Sequence, residues 1–203
     1  MAMLKRRMPR YSYFGIKWRT NQTNKKYLAI DFNNRCAYCD DADRFNGGSR
    51  YYHVDHFAPA SRFPELRFTY ENLLYTCPYC NEAKSNTWVS EDASVSVIND
   101  SGFLSPCDAE YYNHLSRNED GTISATSSLG EYMRKHLKLY LKRHSIIYLL
   151  EQVEEKCDTL ESLIKEQESN GKDVTKLRLA YSSIAMKLRE YYKLFYNNLK
   201  ETS

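Results

Sequence analysis

The chain has 203 residues, with 29 Lys and Arg against 26 Asp and Glu and a net charge of +3. A hydrophobic content of 42% is enough for a packed core and excludes wholesale disorder. No apolar run approaches membrane-spanning length and none follows the basic start, so neither a membrane protein nor a signal peptide is expected.

The length fits one domain with an appendage, or two small ones. The expected compartment is the cytoplasm, where the six cysteines suit metal ligation or core positions better than disulfides.

Residues 1–30 read as a basic arm. Eight Lys and Arg and no acid lie between Met1 and Lys26, which leaves −5 for the remainder. Arg6, Arg7, Arg10, Lys17 and Arg19, with Lys5, are interleaved with Tyr11, Tyr13, Phe14 and Trp18. That mixture suits phosphates and stacked bases; a solvated or partner-bound tail is the alternative. A short helix is expected near Lys25–Ile30.

Residues 31–108 hold nearly all the Cys, His and Asn chemistry. Cys36-Ala-Tyr-Cys39 and Cys77-Pro-Tyr-Cys80 are two CxxC pairs separated by 37 residues. Each pair can wrap two thiolates round one cation, and two pairs complete a tetrahedron, the arrangement of a closed structural zinc site. A single CxxC would leave a redox motif open; two without a βαβ pattern favour zinc. The segment between them is polar and turn-rich, so metal ligation is expected to supply its folding free energy, and chelation to unfold residues 31–90. Cys157 lies on an apolar helical stripe and reads as core, while Cys107 carries no signal.

Between the pairs, Tyr51-Tyr52-His53-Val54-Asp55-His56 alternates like a strand that ends before Pro59. Glu71–Thr76 reads as a second strand, and Cys77–Lys84 as a turn becoming a helix. Strand, strand and helix would bring a carboxylate, an imidazole and an amide together.

Residues 109–203 read as mostly helical. Met133, Leu137 and Leu141 have helical spacing, and Arg134, Lys138 and Lys142 would share one basic face, either on a duplex or in solvent. Two further stripes, Ile146–Ile164 and Leu177–Leu199, flank the breaker Asn170-Gly171 and predict an antiparallel helical hairpin. From Glu151 to Ser203 ten acids meet nine bases. So neutral a hairpin is a poor DNA arm and suits docking, onto the core, a partner or a second copy.

The combination of CxxC at 36–39, Val54-Asp55-His56-Phe57-Ala58-Pro59, Glu71–Cys77 and Cys77–Lys84 resembles the HNH endonuclease family, in its subgroup with flanking zinc-binding pairs. The likeness covers about residues 31–88. It implies an α+β fold: a small ββα-metal (His-Me finger) core with a four-cysteine zinc site, followed by a mainly helical region. It further implies that His56 is the general base, and that Asp55 and Asn81 hold a catalytic Mg²⁺ or Mn²⁺. Asn72 would brace the loop carrying the base. Lys84 would contact phosphate or screen the site's charge. His53 would assist phosphate binding or metal ligation, or simply pack near the zinc turns.

The family's last residue is His, whereas this chain has Asn81, whose amide oxygen is a hard ligand that weakens any preference for softer metals. The substrate implied is DNA, with RNA left open. Looser likeness at Gly102–His114 and Asp120–Ile123 is to the HNH component of bacterial anti-phage systems such as the Septu type, which implies an ATPase partner. A zinc-stabilised nucleic-acid-binding module without cleavage is the alternative. A scaffold whose helical tail is the working part is a third reading.

Overall fold

Polar, turn-rich sequence gives the first part of the chain short elements, and long apolar stripes give the last part long ones. The computed structural model describes residues 2–4, 8–13 and 20–201. The chain divides into two compact units, Met1–Leu141 and Lys142–Ser203.

In the first unit, strand β1 (Ala2–Met3) precedes helix α1 (Asn21–Asp31). Thr20 caps α1, its hydroxyl accepting from the Thr23 N–H. Next come β2 (His53–His56), β3 (Leu73–Thr76) and α2 (Pro78–Lys84). Strands β2 and β3 pair antiparallel, with His53 opposite Thr76 and His56 opposite Leu73. Cys77 caps α2 and Pro78 opens it, a position where proline's missing N–H costs nothing. These three elements make the expected ββα unit.

A two-residue hairpin, β4 (Val97–Ile98) and β5 (Ser101–Gly102), follows, then α3 (Tyr111–His114), β6 (Leu115–Arg117), β7 (Ile123–Ala125) and α4 (Ser128–His136). Strands β1, β6 and β7 form an antiparallel sheet in that order. The β6–β7 pair lies in the region read as mostly helical. Its turn is local chemistry: Gly121 has φ 79°, and one Asp120 oxygen accepts from the Thr122 N–H at 2.9 Å and its hydroxyl at 2.6 Å.

Part of the basic arm is built into this unit. Ala2 and Met3 pair with β6, and Leu4 is buried. The Tyr11 hydroxyl donates to the Leu73 carbonyl at 3.0 Å, and its ring packs edge-on against Phe32 and Tyr70. That ring serves the core and is not presented for base stacking. Arg10 is exposed. Lys5, Arg6, Arg7, Phe14, Lys17, Trp18 and Arg19 lie outside the described residues.

A single core joins all four cysteines of the CxxC pairs to Leu28, Phe32, Tyr38, Leu73, Phe103, Leu115 and Met133. The segment between the pairs therefore shares a core built from much of the unit. A smaller cluster of Ala58, Phe63 and Trp88 packs beneath the loop after β2. Arg62 fastens that loop, donating to the carbonyls of Trp88 at 2.9 Å and Ser90 at 2.7 Å.

The basic stripe expected over Arg134, Lys138 and Lys142 is not formed. Helix α4 stops at His136, and Lys138 takes a left-handed φ of 54°. The Lys138 N–H then returns to the Lys135 carbonyl at 3.2 Å and the Leu139 N–H to the Arg134 carbonyl at 2.9 Å. This is a Schellman closure with lysine in the place usually taken by glycine. It turns the chain so that Leu137 and Leu139 are both buried.

The second unit is the expected hairpin, α5 (Lys142–Ser169) and α6 (Thr175–Glu201). Gly171, at φ 69°, turns the chain between them, and Asp173 accepts from the Thr175 N–H at 2.9 Å to start α6. Val153, Cys157 and Ile164 on α5 and Phe195 on α6 are buried. Among the described residues no helix is long and apolar enough to cross a membrane.

Candidate metal centre and active-site cleft

Two tight turns fix the four thiols. In the first, the Cys36 N–H donates to the Asp41 carbonyl at 2.9 Å and the Asp40 N–H to the Cys36 carbonyl at 3.1 Å, with Asp40 at φ 66°. In the second, the Cys80 N–H donates to Cys77 Sγ at 3.4 Å. The Ala37 N–H, bonded to the Tyr75 carbonyl at 2.7 Å, ties the first turn to β3. Arg117 holds the Cys39 carbonyl at 2.7 Å.

As a result Cys36, Cys39, Cys77 and Cys80 are all buried, with their Sγ atoms within 4.8 Å of one another and no disulfide among them. Four convergent thiols fit a tetrahedral, structural zinc ion. Burial pushes each thiol up, but hydrogen bonds from the other three hold Cys36 well below its ordinary value. Cys39, Cys77 and Cys80 are held above their ordinary values, chiefly by burial.

The second site lies where β2 ends against α2. Asp55, His56 and Asn81 line one cleft of about 390 Å³, together with Arg67, Glu82 and Ser85. The Asp55 side chain is almost fully buried; its Oδ2 accepts from the Tyr38 hydroxyl at 2.8 Å and lies 3.5 Å from Lys84 Nζ. Both contacts use the same oxygen. Burial raises the Asp55 carboxyl above its ordinary value, opposed by Lys84, Tyr38 and His56.

His56 is only partly buried, and its Nε2 lies 3.0 Å from the Arg67 carbonyl. A carbonyl oxygen can only accept, so Nε2 carries the proton and Nδ1 keeps its lone pair. Burial lowers the imidazole below its ordinary 6.5, with the Arg67 carbonyl and Asp55 acting in the opposite direction.

Asn72 sits under the loop that follows His56. Its Oδ1 accepts from the Ala58 N–H at 2.8 Å, and its Nδ2 donates to the carbonyls of Ala58 at 3.0 Å and Leu66 at 3.3 Å. Its own carbonyl accepts from the Phe57 N–H at 2.8 Å. A buried amide that meets a peptide on both sides holds the loop's position, at about 1 kcal/mol per bond.

For Lys84 the resemblance implies a phosphate contact or charge screening. It is fully buried, donates to the His56 carbonyl at 2.9 Å and faces Asp55. An ammonium so enclosed is not offered to an incoming phosphate, so screening is the role its geometry allows. His53 is exposed at the other end of β2 and does not line the cleft. Arg10 is not among the cleft's lining residues either.

Two contributors escaped the sequence reading. Tyr38, inside the first CxxC, donates to Asp55, a contact that its place as a spacer between two cysteines does not announce. The Arg67 carbonyl orients His56, and a backbone contact of that kind leaves no trace in residue types.

Residues 36–87 match the model of the HNH endonuclease family. Over 52 residues the chain is 40% identical to the Septu protein PtuB of Bacillus thuringiensis, a stretch covering 26% of this chain and 20% of that protein. No solved structure matches the chain. The four thiols, the ββα unit and the cleft residues Asp55, His56 and Asn81 all fall inside the segment that matches the HNH endonuclease model, which spans about a quarter of the chain.

Proposed function

We propose that the chain is a metal-dependent endonuclease that hydrolyses DNA phosphodiester bonds. The observation that carries this reading is His56 fixed with Nδ1 as its lone-pair nitrogen, in the same cleft as Asp55 and Asn81. His56 Nδ1 takes the proton from the water that attacks phosphorus. Asp55 and Asn81 supply the oxygen donors that suit Mg²⁺ or Mn²⁺. Such a cation, when bound, neutralises charge on the phosphate and on the leaving oxygen. Asn72 keeps the base loop in place, and Lys84 holds the Asp55 carboxylate and the His56 backbone together.

A binding-only module would account for the cysteines. It gives no reason for a neutral imidazole to be locked beside a carboxylate and an amide.

The test incubates the full chain with DNA or RNA, with Mg²⁺ or Mn²⁺ supplied or withheld, across a pH series. DNA cleavage is expected only with the cation present. Because neutral His56 is the active form and burial lowers its pKa, activity is lost on acidification through a midpoint below 6.5. Cleavage without the cation, or an acid limb centred above that value, contradicts the reading.

The second unit is read as a docking element. Helix α6 exposes Leu179, Met186 and Leu194, spaced about two turns apart on one face. We take this face to receive a second copy or the ATPase-type partner that the resemblance implies. In size-exclusion light scattering, the double variant Leu179→Glu/Met186→Glu should lose that association and keep its helicity. An unchanged assembly would count against docking at this face. The place of such a nuclease in anti-phage defence follows from the same resemblance and stands or falls with the partner.

A further inference from the structure

Helix α1 and the turn before β2 enclose a second groove, of about 540 Å³. Its charge is one-sided: Lys25, Lys26 and Arg50 line it with the amides Gln22 and Asn34, and no carboxylate is among its lining residues. Its walls are fixed to each other, since Lys25 Nζ donates to the Arg50 carbonyl at 3.2 Å. Lys26 and Arg50 are exposed, and the Arg50 guanidinium lies over the Tyr51 ring, 5.8 Å from its centre.

The groove's place relative to the cleft gives it meaning. Helix α1 packs on β2 and β3. His53 begins β2, three residues after Arg50, whose carbonyl accepts from Lys25 Nζ, so the cation stands close to that end of the strand. Asp55 and His56 close the other end. At about 3.3 Å per residue, the two ends of β2 are roughly 10 Å apart. Phosphates on one strand of a duplex advance about 3.4 Å along the axis each. A strand whose phosphate occupies the cleft would bring phosphates a few positions away to the groove.

We propose that Lys25, Lys26 and Arg50 form a binding surface for the phosphodiester backbone of duplex DNA flanking the scissile phosphate. This rests on the nuclease reading of the adjacent cleft. It names contacts different from the N-terminal arginines and from Lys84. The groove positions the substrate and takes no part in the chemistry.

The test measures binding apart from cutting, with the full chain carrying His56→Ala and a labelled 30-base-pair duplex titrated over a series of salt concentrations. Each phosphate contact contributes about 0.9 to the slope of log affinity against log salt. The triple variant Lys25→Gln/Lys26→Gln/Arg50→Gln should weaken binding and reduce that slope by about 3. Lys25→Arg/Lys26→Arg, which keeps the charge, should retain it, and an unchanged melting temperature in both variants shows that the fold is intact. An unchanged affinity and slope in the triple variant overturns the proposal, even if the unaltered chain cuts DNA. So does a parent that fails to bind the duplex, or a slope change seen only with RNA. Failure of the nuclease reading registers separately, as absence of cation-dependent cleavage by the chain that retains His56.

Discussion

Chelation of a zinc-loaded chain is expected to unfold the whole Met1–Leu141 unit, and Cys77→Ser is expected to do the same. The four thiols are buried within 4.8 Å of one another and belong to the core that includes Leu28, Tyr38, Phe103 and Met133. Structural zinc contributes about 10–16 kcal/mol of apparent binding free energy, against a typical net stability of about 5–15 kcal/mol. Its loss therefore exceeds what the remaining contacts of a typical domain retain. From sequence the effect is expected over residues 31–90; the shared core extends it, because Arg117 and Tyr111 also grip the first cysteine turn. Circular dichroism and thermal melting after chelation, then after zinc is restored, check this. A native melt in the chelated protein would show that the cysteines are not a structural metal site.

Lys84→Met should cost about 3–5 kcal/mol, the usual consequence of leaving a buried charge without its partner. Lys84 is fully buried between Asp55 Oδ2 at 3.5 Å and the His56 carbonyl at 2.9 Å. Burial alone already raises Asp55 and lowers Lys84, so neither charge is comfortable without the other. Without the ammonium, Asp55 moves further toward its protonated form and becomes a poorer cation ligand. Both stability and cleavage therefore fall together. Chemical denaturation of zinc-loaded protein measures the first. A stability change under about 1 kcal/mol would count against the buried Asp55–Lys84 pairing and favour the phosphate contact.

Much of this site is written locally. The cysteines are legible because a CxxC turn brings its own two thiols together. The helical hairpin is legible because its stripes are long. What escapes is whatever depends on how elements pack. Lys84 looks like a surface lysine until α2 is laid over β2, and Tyr38 looks like a spacer until its hydroxyl meets Asp55 at 2.8 Å. Lys138 continues a helical pattern in sequence, yet burying Leu137 and Leu139 together requires the turn it makes. Strands β6 and β7 are three residues each, too short for their alternation to register. The same rule applies to the basic groove: Lys25 and Lys26 are adjacent in sequence, whereas Arg50 joins them only in the fold.

His56 is proposed to remove a proton in the cleft it shares with Asp55 and Asn81. The most direct test compares single-turnover DNA cleavage by the full zinc-loaded chain and by His56→Ala, with Mg²⁺ or Mn²⁺ and with any partner the wild type requires. General-base catalysis is worth about 10²–10⁴-fold, so the variant should be slower by that factor while its melting temperature and duplex binding stay unchanged. Equal rates for the two proteins would contradict the account.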